Sequence, residues 1–501
     1  MKIKSLLIAN RGEIAVRIIK TAKNLGIKTY VIKTAKEPKA LYLDVADEIC
    51  DFTENLEEIP EFLDIERIVN TAKDYHIDAV HPGYGFLAES PYFAQRCQDE
   101  GITYVGPSPD AIYKMGKKTI AKTIAKNHDV PLLEGSDGNV SSALRAMAIA
   151  RRIGYPVILK AAAGGGGRGM RIVEKQKEMD KMYRLATTEA EKAFSDSSVF
   201  IEKYIRNPRH VEFQILGDQK GNVVHLGERE CSIQRKHQKL IEESPSPALD
   251  EELRQKMGNA AIRMAKAVGY YSAGTVEFLL DADKNFYFME MNTRIQVEHP
   301  VTEQITGIDL IEQQLMVADG EPLSFKQEDI KLEGWCIECR INAEDVQAGF
   351  APNQGIIEKA IFPNGKYIRI DTGIKDNSQI TPYYDSMIAK LIVSGPNRQK
   401  AITNMLNALS KVKIKGFKTT IPFHKAVMHN KYFKKGEFST SFIEESMDQL
   451  YYQEPEEEKL AAFLATVEHV IDVNQDEEVL VDYEKGKNLT PWLLNKRLKS
   501  L

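Results

Sequence analysis

The chain has 501 residues, 43% of them hydrophobic and 28% charged, with a net charge of −5 at neutral pH. That length exceeds one ordinary core and calls for two to four domains, while the weakly acidic balance argues against a nucleic-acid surface. No apolar run reaches the ~18–20 residues of a membrane span, MKIKSLLIANRGE is charged too soon for a signal peptide, and five cysteines make no disulfide framework; the expected compartment is the cytoplasm.

Residues 5–9 read as a buried strand. Ile14, Ile18, Ala22 and Leu25 then recur at helical spacing until Gly26 stops the helix. Strands follow at 29–33, 78–81 and 103–106, with a helix over 68–75. Strands alternating with helices predict a parallel α/β sheet. HPGYGFL (81–87) leaves a strand end, where open α/β sheets place ligand loops; by itself it fits a tight Pro-Gly turn better. A mostly helical connection over 109–128 carries Lys117 and Lys118.

Beyond Pro131 a smaller unit begins: a helix over 143–153, a strand over 155–160 ending on Lys160, glycines at 164–167, and a strand over 170–173. No Lys-Ser or Lys-Thr follows the last glycine and no helix starts there, so this is not a P-loop. A glycine run between strands still lets backbone N–H groups close on phosphate oxygens, with Lys160 adding a point charge. The alternative, a flexible linker, is disfavoured by the strands that flank it closely.

A strand over 199–205 carries Glu202. Over 209–216, Val211, Phe213 and Ile215 alternate with His210, Glu212 and Gln214. After a turn at 218–222 and a strand at 223–226 comes ERECSIQRKHQK (228–239), either a solvated loop or a cationic wall for phosphates. Residues 274–280 and 285–291 form a hairpin. Glu277 and Glu290 converge from its strands, and Glu290 shares a face with Asn292. Such hard oxygen ligands suit Mg beside nucleotide phosphates; the alternative is that one carboxylate pairs with a lysine or arginine.

EMNTRIQVEHPV (290–301) is the densest stretch. If 292–298 is extended, Asn292, Arg294, Gln296 and Glu298 line one face, with Ile295 and Val297 on the other. That face suits binding and deprotonating a small anion; the alternative is a solvated edge strand with an exposed salt bridge. Strands near 336–342 and 368–371 and a helix near 400–412 close the body. Cys336 and Cys339 form a lone CxxC whose thiols point to opposite faces, which is poor support for zinc. The tail, 447–501, is acidic through Glu484 and basic at its end, with helical periodicity over 460–471.

IANRGEIA (8–15), HPGYGFL, YPVILKAAAGGGGRGM (155–170), EKY (202–204), NPRHVE (207–212), HQK (237–239), GTVEF (274–278), EMNTRIQVEHPVTE (290–303), CRINAED (339–345) and YYDSMIAKL (383–391) together resemble the biotin carboxylase family of the ATP-grasp superfamily, over about residues 3–445. The resemblance implies an α/β fold with a parallel-sheet domain at 1–115, a linker and ATP-grasp lid at 116–205, an ATP-grasp core at 206–330 and a mixed α+β C-terminal region at 331–446, followed by a charged tail at 447–501. It implies that MgATP (or MnATP) and bicarbonate carboxylate biotin on a separate carrier protein, giving carboxybiotin, ADP and phosphate.

By the same resemblance Lys118 and Lys160 touch ATP phosphates under a flap containing Gly165, Gly166 and Gly167. Glu202 and the backbone of Lys203 meet adenine, and His210, Gln234, His237 and Leu279 complete the nucleotide site. Glu277, Glu290 and Asn292 hold metal ions. Lys239, Arg294, Gln296 and the Val297 backbone bind bicarbonate, Glu298 is the general base, and Arg340 steadies the biotin enolate. The implied partners are a second copy of the chain, a biotin carboxyl carrier protein and a carboxyltransferase subunit. Four features depart from the family pattern: Ala163 where the flap has another glycine, residues 33–43, the uncharged Asn24 beside Lys20 at a dimer position that Arg369 would join, and Cys336. No biotinylation motif or carboxyltransferase segment is present, so one subunit of a split carboxylase is expected. Its final acceptor (acetyl-CoA, propionyl-CoA, pyruvate or another acid) is left open. The competing expectations are another ATP-grasp ligase that needs no biotin, and a non-catalytic nucleotide-binding regulator.

Overall fold

The structure is a computed structural model that describes residues 2–54, 59–136, 138–161, 170–194, 196–447, 450, 460 and 463–468. Residues 1–451 form one compact unit and 452–501 a second. In the second, residues 463–468 are helical; the rest of the periodicity expected over 460–471, like most of the tail, lies outside the described residues.

Five short parallel strands open the fold: β1 (Ser5–Ile8), β2 (Lys28–Lys33), β3 (Glu48–Asp51), β4 (Ala79–His81) and β5 (Thr103–Tyr104), ordered β3-β2-β1-β4-β5. The alternation of strands and helices expected here is present. The strand order reverses between β1 and β4, and the loops leaving their carboxyl ends, 10–13 and 84–86, both line the main cavity, where open parallel sheets place ligands. The Asn10 amide ties the two loops by donating to the carbonyls of Pro82 and Tyr84, each at 2.7 Å. A Cβ on Gly83 would fall 2.7 Å from that amide nitrogen, at a φ of +62°, so glycine is required there.

A three-stranded antiparallel sheet follows, β6 (Val157–Ala161), β7 (Arg171–Val173) and β8 (Val199–Lys203), ordered β7-β6-β8. Val157, Leu159 and Ile201 pack on Ala146 and Ala150 of one helix and Ala186 and Ala190 of another. The β6–β7 hairpin matches the predicted strand, glycine run and strand. Its tip, with Ala163 and the glycines at 164–167, lies outside the described residues.

The body is built on β9 (Arg209–Gly217), β10 (Val223–Arg235), β11 (Gln238–Ser244), β12 (Ser272–Leu280), β13 (Phe286–Asn292) and β14 (Trp335–Asn342). Beyond them come β15 (Glu344–Asp345), β16 (Ala351–Pro352), β17 (Gly355–Ile356), β18 (Lys359–Ile361), β19 (Ile368–Thr372), β20 (Gln379–Ile380), β21 (Met387–Gly395) and β22 (Lys413–Lys415). Eight of these make one antiparallel sheet, β13-β12-β9-β10-β11-β14-β21-β19. Val211, Phe213, Val276 and Phe278 pack against Met257, Ala261 and Met264 of the helix Glu251–Ala267, leaving the polar set of β9 on the side of the cavity.

Segment 228–239 is not a loop. β10 continues through it to Arg235, Lys236 and His237 turn the chain at φ 49° and 66°, and β11 begins at Gln238. Residues 228–232 are fully buried. Charged residues are tolerated there because each has a partner: Glu228 meets Arg254, Arg229 meets Glu212 and Glu230 meets Arg209. The basic character read from this stretch is therefore only in part a wall of the cavity, at Gln234 and 237–239.

Candidate functional site

One ammonium organises the site. Lys239 Nζ, at the start of β11, lies 2.5 Å from Glu212, 3.2 Å from Glu277 and 2.6 Å from Glu298. Those carboxylates come from β9, β12 and the turn after β13, so three parts of the sheet converge on one cation. Burial opposes ionisation of Glu298, but Lys239, Arg340 and Arg229 outweigh it and hold the carboxyl well below its ordinary range. Arg340 Nη2 reaches Glu298 at 2.9 Å, and its Nε donates to Glu242 at 2.6 Å.

The extended geometry expected for 292–298 is wrong. β13 ends at Asn292; a turn follows, and the helix His299–Thr306 begins with Pro300 in its first turn. Just beyond the strand the Thr293 N–H donates to the Glu89 carboxylate at 3.3 Å. The expected side chains still converge. Arg294 bridges Glu89 and Asn292, each at 3.1 Å; Gln296 donates to Glu277 at 2.7 Å; the Val297 carbonyl accepts from buried Lys390 at 2.8 Å. The exposed-edge alternative fails, since Asn292, Gln296 and Glu298 are buried.

Glu277 and Glu290 are directly paired across β12 and β13. Burial raises both, but Lys239 and His210, 2.9 Å from Glu277, bring that carboxyl below its ordinary range. The salt-bridged alternative is thus met at Glu277. Glu290 is different: burial and the Glu277 charge push its pKa up. A second carboxylate with unbalanced charge, beside the amide of Asn292, is the hard oxygen set that a divalent cation relieves. The tighter cluster of His210, Glu212 and Glu277 is already compensated by Lys239 and Arg229 and has less need of an ion.

The cavity above these groups has a volume of about 2040 Å³. Lys118, Lys160, Glu202, Lys203, His210, Gln234, His237 and Leu279 all line it, as do the carboxylates and Arg340. The Lys203 N–H is taken by the Glu134 carbonyl at 2.8 Å, and its ammonium turns away to the carbonyls of Gly154 and Tyr155. Lys160 sits 2.6 Å from Glu202, and Lys122 holds the other oxygen.

Burial and the Lys118 charge push Lys160 down to about 8, and burial with the Lys160 and Lys118 charges pushes Lys122 down to about 7; the Glu202 carboxylate in contact with both opposes these shifts and favours the charged lysines. A polyphosphate would favour both charged forms. Binding is therefore expected to take up protons between pH 7 and 9, and affinity to fall as pH rises through that window, by up to about tenfold per unit per group. Calorimetry in buffers of differing ionisation enthalpy measures this; affinity that climbs with pH would contradict the charge model.

Sequence reasoning missed Arg229, Glu89, Glu242 and Lys122. Arg229 is completely buried and uses all five N–H donors, on Glu212, Gln214, Thr302, Thr275 and Gln296 at 2.6–3.0 Å. The only signal in the sequence was a charge in mid-strand. Cys336 and Cys339 are free, buried residues of β14. Lys20 and Asn24 are exposed, while Arg369 is engaged within the chain by Glu303 and Asp371, both at 2.7 Å. Among the described residues no helix is long and apolar enough to cross a membrane.

Three family models match the chain: biotin carboxylase, N-terminal domain, over 2–112; carbamoyl-phosphate synthase L chain, ATP binding domain, over 117–326; and biotin carboxylase C-terminal domain, over 338–445. Biotin carboxylase 1 of Bacillus subtilis is 51% identical over 443 residues, 88% of this chain and 98% of the relative. A pyruvate carboxylase subunit of Methanothermobacter thermautotrophicus is 50% identical over 440 residues, 88% of this chain and 89% of the relative. The biotin carboxylase domain dimer of Hydrogenobacter thermophilus 2-oxoglutarate carboxylase, solved with MgADP, ADP and bicarbonate, superposes with a TM-score of 0.86 at 48% identity, covering 91% of this chain and all of that one.

Proposed function

The chain belongs to the biotin carboxylase family, and from that premise we propose that its site carboxylates biotin on a separate carrier protein, with the residue roles that follow. The observation that carries this reading is the Glu298 carboxylate, buried at the end of a nucleotide-sized cavity between two cations, Lys239 and Arg340.

Bicarbonate binds against Lys239, Arg294, Gln296 and the Val297 backbone. Lys239 and Arg340 hold Glu298 ionised and make it a weak base. An incoming anion draws their charge toward itself, so Glu298 becomes basic when there is a proton to take. The deprotonated oxygen attacks the γ-phosphorus of ATP, ADP leaves, and the carboxyphosphate divides into CO2 and phosphate. That phosphate removes the biotin N–H proton while Arg340 steadies the enolate, and the ring nitrogen takes up CO2. Lys118 and Lys160 hold phosphate oxygens as charge moves; Glu202 and the backbone of Lys203 meet the base; His210, Gln234, His237 and Leu279 complete the nucleotide's walls. Glu277, Glu290 and Asn292 would hold Mg2+ or Mn2+, which supplies charge neutralisation on the phosphates.

The relatives named as part of a pyruvate carboxylase and of a 2-oxoglutarate carboxylase support a carrier protein and a carboxyltransferase as partners. The dimeric neighbour supports a second copy of the chain. The test is ADP release by the purified chain with and without bicarbonate, and with free biotin added. Bicarbonate-dependent release that biotin stimulates is the expected result. Turnover that ignores bicarbonate, or that biotin leaves unchanged, would point to a different ATP-grasp ligase.

A further inference from the structure

We propose that Lys122 is a positioning residue for the nucleotide, acting as the stand-by counter-ion that keeps Glu202 paired when Lys160 moves to phosphate; this rests on the nucleotide reading above.

Lys118, Lys122 and Lys126 recur four residues apart on the helix Lys118–Asn127, so they share a face, and all three line the cavity. Lys122 reaches across to β8. Its ammonium pairs with Glu202 Oε1, and it lies 4.5 Å from the ring centroid of Phe200, two residues earlier on the same strand. An anion and an aromatic ring therefore form a defined seat for this charge. Lys160 holds Oε2 of the same carboxylate at 2.6 Å.

Glu202 has only 7% of its side chain exposed, against 32% for Lys122 and 29% for Lys160. A carboxylate buried to that degree is costly to leave without a cation. With Lys160 as sole partner, a phosphate could recruit it only by stripping Glu202. Lys122 on the opposite oxygen removes that obstacle: Lys160 can swing to phosphate while Glu202 stays compensated and in place for the base. Lys122 need never touch the ligand, yet it sets what the phosphates must compete against.

A plain structural bridge between helix and strand would weaken every ligand of the pocket alike. The proposal predicts a selective effect. Calorimetry on the full chain compares ADP, which needs Lys160, with adenosine, which does not. Lys122→Met is expected to weaken ADP by about tenfold, the scale of one charge-assisted hydrogen bond, and to leave adenosine within about twofold. Lys122→Arg is expected to retain ADP affinity. Equal losses for ADP and adenosine, or unchanged ADP affinity, would each overturn the proposal; Lys122→Gln replaces Lys122→Met if that variant does not fold. A wild-type chain that binds neither ligand overturns the nucleotide reading itself, and this inference with it.

Discussion

Glu298→Gln is expected to lower bicarbonate-dependent ADP release by ~10²–10⁴-fold, the range for removing a general base, in a chain that still folds. The amide has the shape of the carboxyl and can still accept from Lys239 or Arg340. Lys239 keeps Glu212 and Glu277, and Arg340 keeps Glu242, so neither cation is stranded. Bicarbonate also loses a negative neighbour. The loss is therefore expected in kcat, with the KM for bicarbonate little changed or lower. Steady-state kinetics over a bicarbonate series separates the two; turnover near that of the wild type would remove Glu298 from the proton-transfer role, and a loss confined to KM would make it a binding residue.

Arg229→Met is expected to destabilise the chain by ~3–5 kcal/mol, the scale for breaking a buried ion pair from one side. It leaves Glu212 with Lys239 and the more distant His210 and strips partners from Gln214, Gln296, Thr275 and Thr302 at once. Because β10 lies inside the sheet, no water can replace the lost donors cheaply. Combining Arg229→Met with Glu212→Met replaces the charge pair by apolar groups and is expected to recover part of the loss. Denaturant unfolding of the three variants measures it. A single variant within ~1 kcal/mol of wild type would show that Arg229 is not what holds the floor of the site together.

The parallel sheet, the two hairpins and the convergence of Glu277 with Glu290 were legible because each rests on a local period: alternation of strand faces, helical recurrence, or a turn between apolar runs. The charged core of β10 was not. ERECSIQRKHQK has the composition of a surface, and its burial depends on partners at Glu212, Arg209 and Arg254 that no local pattern announces. The path of 292–298 failed for a related reason. Alternation gave the right set of residues, but the chain turns after Asn292, where Glu89, far away in sequence, takes the Thr293 N–H. The pairing of Lys160 with Glu202 was equally hidden, since each reads in sequence as a ligand contact and neither as the other's partner.

The long sheet also bears on how the chain is made. Strands β9 to β13 can assemble as soon as Asn292 has emerged, but the free side of β11 waits for β14, and β14 waits for β21. At ~5–20 residues per second on the ribosome, those waits last seconds, long enough for an open strand edge to recruit a neighbouring chain. β11 carries Lys239, Glu242 and Glu243 in seven residues, and Glu243 later pairs with Arg398, which emerges only after β21. Charges that end beside the cavity and in a buried ion pair also make that open edge a poor template for another chain while the remaining strands are awaited.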